Sequence, residues 1–218
     1  MSALKRTCVT AATALALLGA ASLATASVAK TVRGTAAGDV LVGTPTADRI
    51  YAYAGHDAVY GGGGDDRLDG GWGRDHIWGG DGADLIVGGP RGELTPDTHF
   101  TRHERIFGGS GDDVIRMHIG GSLVFGGPGD DRIDVRDPQT DCAIPLPART
   151  FSAASGPTRK LDPPHCINLV LTGPGQNFVR ADDGNYDAIS CQGTRDRVIA
   201  DQYDRFSPRD CDATVVRR

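Results

Sequence analysis

The chain has 218 residues, which is enough for one domain of ordinary size or two small ones. Its 31 glycines and 12 prolines exceed average usage, yet 39% of the residues are hydrophobic, so the composition is neither collagen-like nor that of a simply disordered protein. The formal net charge of −5 argues against a nucleic-acid partner, which requires a basic face.

The N-terminal segment has the layout of a secretory signal peptide. Lys5 and Arg6 precede an apolar run, Val9 to Leu23, and Ala24-Thr25-Ala26 follows as a small-x-small cleavage site. The run is short for a membrane span, and no stop-transfer pattern follows it. The alternative is a membrane anchor that is not cleaved. We therefore expect a signal peptide at residues 1–26, or cleavage at Ala29, and a secreted, extracellular protein without a membrane span after cleavage.

A nine-residue repeat begins at Gly34 and runs through six blocks without a slip. Residues 88–98 interrupt it, the frame resumes over residues 99–134, and a second, proline-rich interruption covers residues 135–162. Decayed units follow from Pro163. The full pattern G-G-x-G-x-D stands in the five units that start at Gly61, Gly70, Gly79, Gly108 and Gly126.

The eighth position is aliphatic in all fourteen units, and this regularity predicts the fold. Three residues around that position form a short strand with one side chain inward, and the six preceding residues form a turn. Self-similarity at a fixed short period is typical of a solenoid. We expect two units per coil, with Leu41, Val59 and Ile77 along one inner wall and Ile50, Leu68 and Ile86 along the facing wall. The predicted fold class is all-β, with few helices beyond the signal segment.

Such a core is thin, because it buries one aliphatic side chain per nine ordered residues. The aspartates at the sixth position destabilise the fold further, because their negative charges on neighbouring coils repel each other. A hard divalent cation resolves both problems: Ca²⁺ takes six to eight oxygen ligands, from carboxylates and from the carbonyls that glycine-rich turns expose. Mg²⁺ is less suitable because it requires strict octahedral geometry. The alternative is that Asp and Gly serve only as turn formers.

These blocks resemble the RTX, or haemolysin-type, calcium-binding nonapeptide repeat, G-G-x-G-x-D-x-U-x, where U is aliphatic. The similarity is strong over residues 61–87 and in the units at Gly108 and Gly126, weaker over residues 34–60, and marginal after Pro163. The resemblance implies a right-handed parallel β-roll or β-helix over residues 27–134, with Ca²⁺ held between the turns of units n and n+2.

In that family the carboxylate of the sixth position and the carbonyls of the turn glycines are the ligands. The carboxylates expected by resemblance are those of Asp39, Asp48, Asp57, Asp66, Asp75, Asp84, Asp113 and Asp131. The expected glycines are Gly61, Gly62, Gly64, Gly70, Gly71, Gly73, Gly79, Gly80, Gly82, Gly108, Gly109, Gly111, Gly126, Gly127 and Gly129. The chain departs from the pattern where Ser122, Asn168 and Asn177 replace the aspartate and where Glu104 substitutes for it.

Four cysteines follow the signal segment, and an even number in an exported chain indicates disulfides. Four cysteines allow three connectivities, of which we expect the nearest-neighbour pairs Cys142–Cys166 and Cys191–Cys211. A zinc site is the alternative, although no Cys-x-x-Cys spacing supports it. The first pair brackets the proline-rich insertion at residues 135–162, and the second lies in a C-terminal cap of degenerate repeats at residues 163–218.

The sequence does not indicate an enzyme, since it contains neither His-Glu-x-x-His nor Gly-x-Ser-x-Gly. A zinc site at His99 to Glu104 (HFTRHE) is the alternative, but the repeat frame places these residues in a turn and strand. Paired carboxylates recur along the chain, whereas an active site is singular.

A binding or adhesion module is the alternative function. Two aromatic pairs lie at equivalent positions eighteen residues apart, Tyr60 with Trp78 and Phe107 with Phe125. Either their rings form an exposed face for a glycan or protein partner, or they stack on each other. Irregular insertions on a rigid scaffold are a second place where recognition occurs.

Overall fold

The computed structural model describes residues 28–89, 104–117, 121–136, 168–184, 186–192, 195–206 and 211–216. These residues form strands and turns and no helix. Accordingly, no helix in this part of the chain is long and apolar enough to cross a membrane. The predicted signal segment, most of both insertions, and the cysteines Cys142 and Cys166 lie outside the described residues, so the pairing of these two cysteines stays a prediction.

Two long parallel sheets enclose the core. The nine-stranded sheet consists, in spatial order, of β1 (Thr31–Arg33), β3 (Arg49–Tyr51), β6 (Arg67–Asp69), β9 (Leu85–Val87), β11 (Val114–Arg116), β13 (Arg132–Asp134), β15 (Phe178–Arg180), β17 (Asp196–Asp201) and β19 (Cys211–Val216). The eight-stranded sheet consists of β18 (Arg205–Phe206), β16 (Ala188–Ser190), β14 (Leu169–Leu171), β12 (Leu123–Phe125), β10 (Arg105–Ser110), β8 (His76–Asp81), β5 (Ala58–Gly63) and β2 (Val40–Val42). A small third sheet pairs β4 (Ala54–Gly55) with β7 (Trp72–Gly73).

The chain alternates between the two long sheets, so two units complete one coil, as the period predicts. Val59 pairs with Ile77 in one sheet and Leu68 pairs with Ile86 in the other. All described strand pairs are parallel and none is a hairpin, because each strand meets its partner only after a full coil. The prediction of an all-β parallel solenoid is confirmed.

The two insertions leave the register of the core unchanged. Ile77 pairs with Ile106 across the first insertion, and Val124 pairs with Val170 across the second. Because side chains along a strand alternate between faces, a shift of a single residue would turn the whole aliphatic set outward. The strands beyond the second insertion therefore continue the same two sheets.

The aliphatic eighth positions form the core, and all fourteen are buried. They are Leu41, Ile50, Val59, Leu68, Ile77, Ile86, Ile106, Ile115, Val124, Ile133, Val170, Val179, Ile189 and Val198. Their neighbours on each strand point outward: Ile77, for example, is fully buried between the partly exposed His76 and Trp78. Inward positions carry one side chain each and stack along the axis, so the core is continuous but narrow.

Five of the described strands, β5, β8, β10, β17 and β19, are longer than the three residues that the repeat predicts. β5, β8 and β10 each continue into the first part of the following turn, where Gly62 pairs with Gly80, and Gly80 with Gly109. Turn backbones approach closely enough to pair because these positions carry no side chain. The turns are therefore part of the sheet structure.

The C-terminal coils carry a covalent link that matches one predicted disulfide. Cys191 and Cys211 are bonded, with their Cα atoms 5.5 Å apart. The bond joins the turn before β17 to the first residue of β19, and Cys211 lies opposite Asp196 in the parallel pair. The last strand of the nine-stranded sheet is thereby tied to the preceding coil.

Candidate functional site

Two rows of turns connect the sheets and run along opposite edges of the solenoid. We call the turns that lead into the nine-stranded sheet the first corner, at residues 43–48, 61–66, 79–84, 108–113, 126–131 and 172–177. The turns that lead into the eight-stranded sheet form the second corner. Four of the five full G-G-x-G-x-D units follow one another at the first corner, and both long insertions enter at the second corner.

The sixth-position aspartates form a hydrogen-bonded ladder along each corner. At the first corner the backbone N–H of Asp66 donates to Oδ1 of Asp84 at 2.8 Å, and the N–H of Asp84 donates to Oδ1 of Asp113 at 2.8 Å. The second corner shows the same relation between Asp57 and Asp75, at 2.9 Å. Each carboxylate thus binds the turn of the preceding coil through one oxygen.

The other oxygen of these carboxylates is buried without a partner. No donor among the described residues reaches Oδ2 of Asp57, Asp66, Asp75, Asp84, Asp113 or Asp131. Asp75 is completely buried, and Asp84, Asp113 and Asp131 are each only 1% exposed. An ionised oxygen in such a place costs free energy unless a cation or a proton compensates it.

Burial raises the pKa values of these carboxyl groups, as expected when the charged form is costly. Desolvation raises the pKa of Asp75, Asp84 and Asp113 to about 7, although the backbone hydrogen bond to each carboxylate opposes the shift. The pKa values of Asp66 and Asp131 rise to about 6 for the same reason. Neighbouring carboxylates add to the shift, so the ladder without a cation is poorly suited to carry its full negative charge at neutral pH.

A glycine at the first position of each turn leaves room beside the unpartnered oxygen. A Cβ atom on Gly61 would overlap both Oδ2 of Asp66 and the carbonyl oxygen of Gly79 in the next coil. Gly79, Gly108 and Gly126 show the same relation to their own turns. The first corner therefore lines a repeated small space with one carboxylate oxygen and one carbonyl oxygen.

The remaining turn glycines stack carbonyl groups closely along the corner. Gly80, at φ 120°, lies against the carbonyl of Gly62, and Gly111, at φ 124°, lies against that of Gly82. A side chain at either position would be strained by its φ value and would overlap the carbonyl below it. The glycine spacing thus produces columns of carbonyl groups next to the column of carboxylates.

The second corner keeps this arrangement only in part. Tyr53 occupies the second position of its turn with φ 72°, a conformation that glycine adopts more readily. Past the first insertion, Met117 and Val135 are buried apolar residues at the first position. A Cβ on Gly88 would already meet Met117 Sδ at 2.8 Å. Apolar side chains therefore fill the space that glycine leaves open at the first corner.

Two predicted ligands differ from the rest. Asp39 Oδ2 accepts hydrogen bonds from the backbone N–H and the hydroxyl of Thr35, at 2.6 and 2.8 Å. Asp48 accepts backbone hydrogen bonds at both oxygens, from Lys30 and Thr44. Both lie in the first coils of the solenoid, where protein donors already satisfy Oδ2, the oxygen that lacks a partner in the later aspartates.

Asp187 is one of several buried carboxylates that were not among the predicted ligands. Asp187 is fully buried, its Oδ1 accepts from the backbone N–H of Asn168, and its Oδ2 lacks a partner among the described residues. Desolvation and then Asp183 raise its pKa to about 8. Its place as sixth residue of the decayed unit from Asp182 was the available signal, but the loss of the glycines around it obscured the pattern.

The donor set fits an oxygen-loving cation. In the described residues, no three His, Cys, Asp or Glu side chains form a metal-binding group. A cation at the first corner would therefore have few carboxylate ligands, and carbonyl oxygens would complete its coordination shell. Ca²⁺ accepts such a mixture of oxygen ligands, whereas Zn²⁺ does not favour it.

Four aromatic residues of the eight-stranded sheet, Tyr60, Trp78, Phe107 and Phe125, stack in a row along its outer face. The rings of Tyr60 and Trp78 are 4.6 Å apart between centroids and 5° from parallel. Trp78 stacks on Phe107 at 5.7 Å, and Phe107 on Phe125 at 4.8 Å. Trp78 and Phe107 therefore have a ring stacked on both faces, whereas Tyr60 and Phe125, at the ends of the row, each stack on one ring.

Comparison with known proteins agrees with this geometry. The family model described as the RTX calcium-binding nonapeptide repeat matches in 4 copies, over residues 33–68, 60–90 and 101–116. No curated protein and no solved structure matched the chain. The matched residues include Gly61, Gly79 and Gly108 at the first corner together with the carboxylates Asp66, Asp84 and Asp113 of the ladder. The chain therefore contains RTX calcium-binding nonapeptide repeats within residues 33–116.

Proposed function

We propose that this chain is a secreted calcium-binding protein whose glycine- and aspartate-rich turns bind stacked Ca²⁺ ions, and that these ions drive the folding of the solenoid after export. The observation that carries the proposal is the column of buried carboxylates with an unpartnered Oδ2, repeated in every coil from Asp66 to Asp131. Each of these buried oxygens costs free energy unless a cation or a proton compensates it, and four consecutive turns repeat that cost beside open glycine backbone.

The proposed ligands follow from the two corners. The carboxylates of Asp66, Asp84, Asp113 and Asp131 serve at the first corner, and those of Asp57 and Asp75 at the second. The turn glycines of the same units supply carbonyl oxygens, as the family pattern implies. A bound divalent cation would supply positive charge that compensates the buried carboxylates and links successive turns. Asp39 and Asp48 are weaker ligands in this proposal, since protein donors occupy their oxygens.

Binding and folding are coupled in this proposal. The narrow core supplies little free energy per residue, and the buried carboxylates oppose folding in the absence of a cation. Where the site does not exist in the unfolded chain, the binding free energy contributes to folding. Extracellular calcium modules have dissociation constants of about 10⁻⁴ to 10⁻³ M, so the glycine-rich coils would order outside the cell. The predicted signal peptide at residues 1–26 supports export.

The structural role of the carboxylates supports a protein that is not an enzyme. The same backbone-bonded carboxylate recurs from coil to coil, which is the behaviour of a structural ligand. For the alternative, a glycan- or protein-binding module, the mutual stacking covers both ring faces of Trp78 and of Phe107, on which a sugar would otherwise stack. Calcium binding is therefore the function that we favour.

Hydrogen exchange with calcium and with chelator tests the proposal. We expect the amides of β5, β6, β8 and β9 to be protected in millimolar calcium and to exchange rapidly in chelator. Magnesium at the same concentration should restore little of this protection. Equal protection of these strands in calcium and in chelator would show that the ion is incidental to the fold.

A further inference from the structure

The coil that follows the second insertion departs from the calcium-binding pattern at the first corner. Its turn reads Thr172-Gly-Pro-Gly-Gln-Asn177, so that threonine replaces the first glycine and asparagine replaces the sixth-position aspartate. Both residues are buried, and both retain the positions that their counterparts occupy in the preceding coil. Their side chains therefore occupy the region that stays open in a consensus turn.

Asn177 uses one side-chain oxygen as the aspartates do. Its Oδ1 accepts a hydrogen bond of 2.9 Å from the backbone N–H of Asp131, just as Asp131 accepts from Asp113. Its Nδ2 atom consequently takes the place of the unpartnered Oδ2. That nitrogen donates to the carbonyl of Gly173 at 3.1 Å and to Oδ1 of Asp196 at 3.0 Å.

Thr172 fills the remaining space and satisfies the next carboxylate. Its hydroxyl donates to Oδ2 of Asp196 at 2.6 Å and accepts from the backbone N–H of Gln192 at 3.1 Å. Asp196 thus accepts hydrogen bonds at both oxygens, whereas Asp131 has a buried Oδ2 for which no donor is found in the described coils. The neutral donors of Thr172 and Asn177 therefore compensate the carboxylate of Asp196. In the consensus turns the corresponding carboxylate oxygen faces open space instead.

The second corner of the same coil is built alike. Asn168 accepts from the backbone N–H of Ser122 at 3.1 Å, and its Nδ2 donates to Oδ1 of Asp187 at 2.9 Å and to the carbonyl of Val135 at 3.3 Å. An amide therefore stands in the ladder at both corners of one coil. This repetition indicates a boundary in the solenoid between two kinds of turn.

We propose that the column of Ca²⁺ ions at the first corner ends at Asp131, and that the amide of Asn177 and the hydroxyl of Thr172 take the place of the next ion. The inference rests on the proposed function and adds to it the point where calcium dependence stops. The coils from Asn168 onward then fold through hydrogen bonds and the Cys191–Cys211 disulfide, without an ion at the first corner.

Restoring the consensus turn tests this boundary. The double substitution Thr172→Gly with Asn177→Asp changes the turn to G-G-P-G-Q-D and leaves the core residue Val179 unaltered. Calorimetric titration of the full chain should show about one more bound Ca²⁺ than wild type. Gln176→Asp is the matched control, because it adds the same charge at an exposed neighbouring position and should leave the stoichiometry unchanged.

The outcomes separate this inference from the proposed function. Wild-type protein that binds no calcium would contradict both. Calcium binding by wild type with no additional ion in a folded double variant would overturn the boundary alone. Should the double variant fail to fold, hydrogen exchange of wild type decides: protection of β15 that persists in chelator while that of β11 is lost supports the boundary, and loss from both strands together overturns it.

Discussion

The backbone N–H of Asp113 donates a 3.0 Å hydrogen bond to Oδ1 of Asp131, one full coil further along the chain. One carboxylate therefore has two tasks, since Oδ1 fixes the spacing of two coils and Oδ2 faces the space beside Gly126. An amide can perform the first task as well as a carboxylate, as Asn177 shows. The two tasks can thus be separated by substitution.

Asp113→Asn should have opposite effects with and without calcium. The amide oxygen keeps the hydrogen bond to the turn of Asp84, while the removal of a buried charge stabilises the calcium-free fold by on the order of 1–3 kcal/mol. Calcium stoichiometry should fall by about one ion, because a carboxylate ligand is lost. Urea denaturation in chelator and in excess calcium measures both effects. Destabilisation in both conditions would contradict a role for this carboxylate in cation binding.

Gly79→Ala should close the space beside Asp84. The added methyl group would overlap Asp84 Oδ2 and the carbonyl of Gly108, so we expect a loss of about 1–3 kcal/mol in calcium and weaker calcium binding. Gly63→Ala is the control, because a Cβ there has its nearest neighbour at 3.6 Å, in ordinary contact. Thermal unfolding of both variants gives the comparison, and equal losses would rule out a special role for the first-position glycine.

Acidification should stabilise the coil that contains Asp187 when calcium is absent. Burial raises the pKa of this carboxyl from 3.8 to about 8 in the folded protein, so the folded state holds a proton that the unfolded state releases. Its contribution to the free energy of unfolding is therefore greatest below pH 4 and is lost as the pH rises towards 8. Hydrogen exchange of β16 in chelator, corrected for intrinsic rates, measures the trend.

Asp187→Asn supplies the control for this pH dependence. It keeps the oxygen that accepts from Asn168 and removes the titrating group. The variant should be more stable than wild type at pH 8, and its β16 protection should change less than that of wild type between pH 5 and pH 8. The change that remains belongs to Asp204, which accepts a hydrogen bond from the backbone N–H of residue 187 and whose pKa burial raises to about 7. A wild-type coil that gained stability as the pH rose would show that Asp187 is ionised and compensated in the folded protein.

Reduction of Cys191–Cys211 should loosen the C-terminal end of the solenoid. The bond closes a loop with a sequence separation of 20, for which the chain-entropy model gives about 3 kcal/mol. Unfolding of the Cys191→Ser/Cys211→Ser variant, compared with wild type in chelator, measures this contribution. Peptide mapping of the non-reduced protein checks the second predicted bond, Cys142–Cys166, and a mixed pairing with Cys191 would contradict both assignments.

The period of the sequence was sufficient to predict the coil and its core. A strict spacing of nine residues places Ile50, Leu68 and Ile86 at the same level of successive coils, and a parallel strand offers only two faces, so the inward set was determined. The insertions did not obscure this prediction, because the aliphatic position resumes in frame after each of them.

The environment of the carboxylates could not be predicted in the same way. The hydrogen bond from the N–H of Asp66 to Asp84 depends on the path of two turn backbones, which spacing alone does not define. The sequence predicted Gly79 as a carbonyl ligand, but it did not predict that the first turn position faces inward, where Gly79 leaves space and Met117 fills it. The resemblance identified the ligand types, and the structure distinguished Asp39 and Asp48 from the others.

Both insertions enter at the second corner, and both return the chain to the eight-stranded sheet in register, at Arg105 opposite His76 and at Leu169 opposite Leu123. The entropic cost of closing a loop rises only with the logarithm of its length. This edge of the solenoid is therefore a natural display position. A foreign peptide grafted between Gly89 and Glu104 would be presented on a scaffold whose opposite edge, with its stacked glycine turns, is left undisturbed.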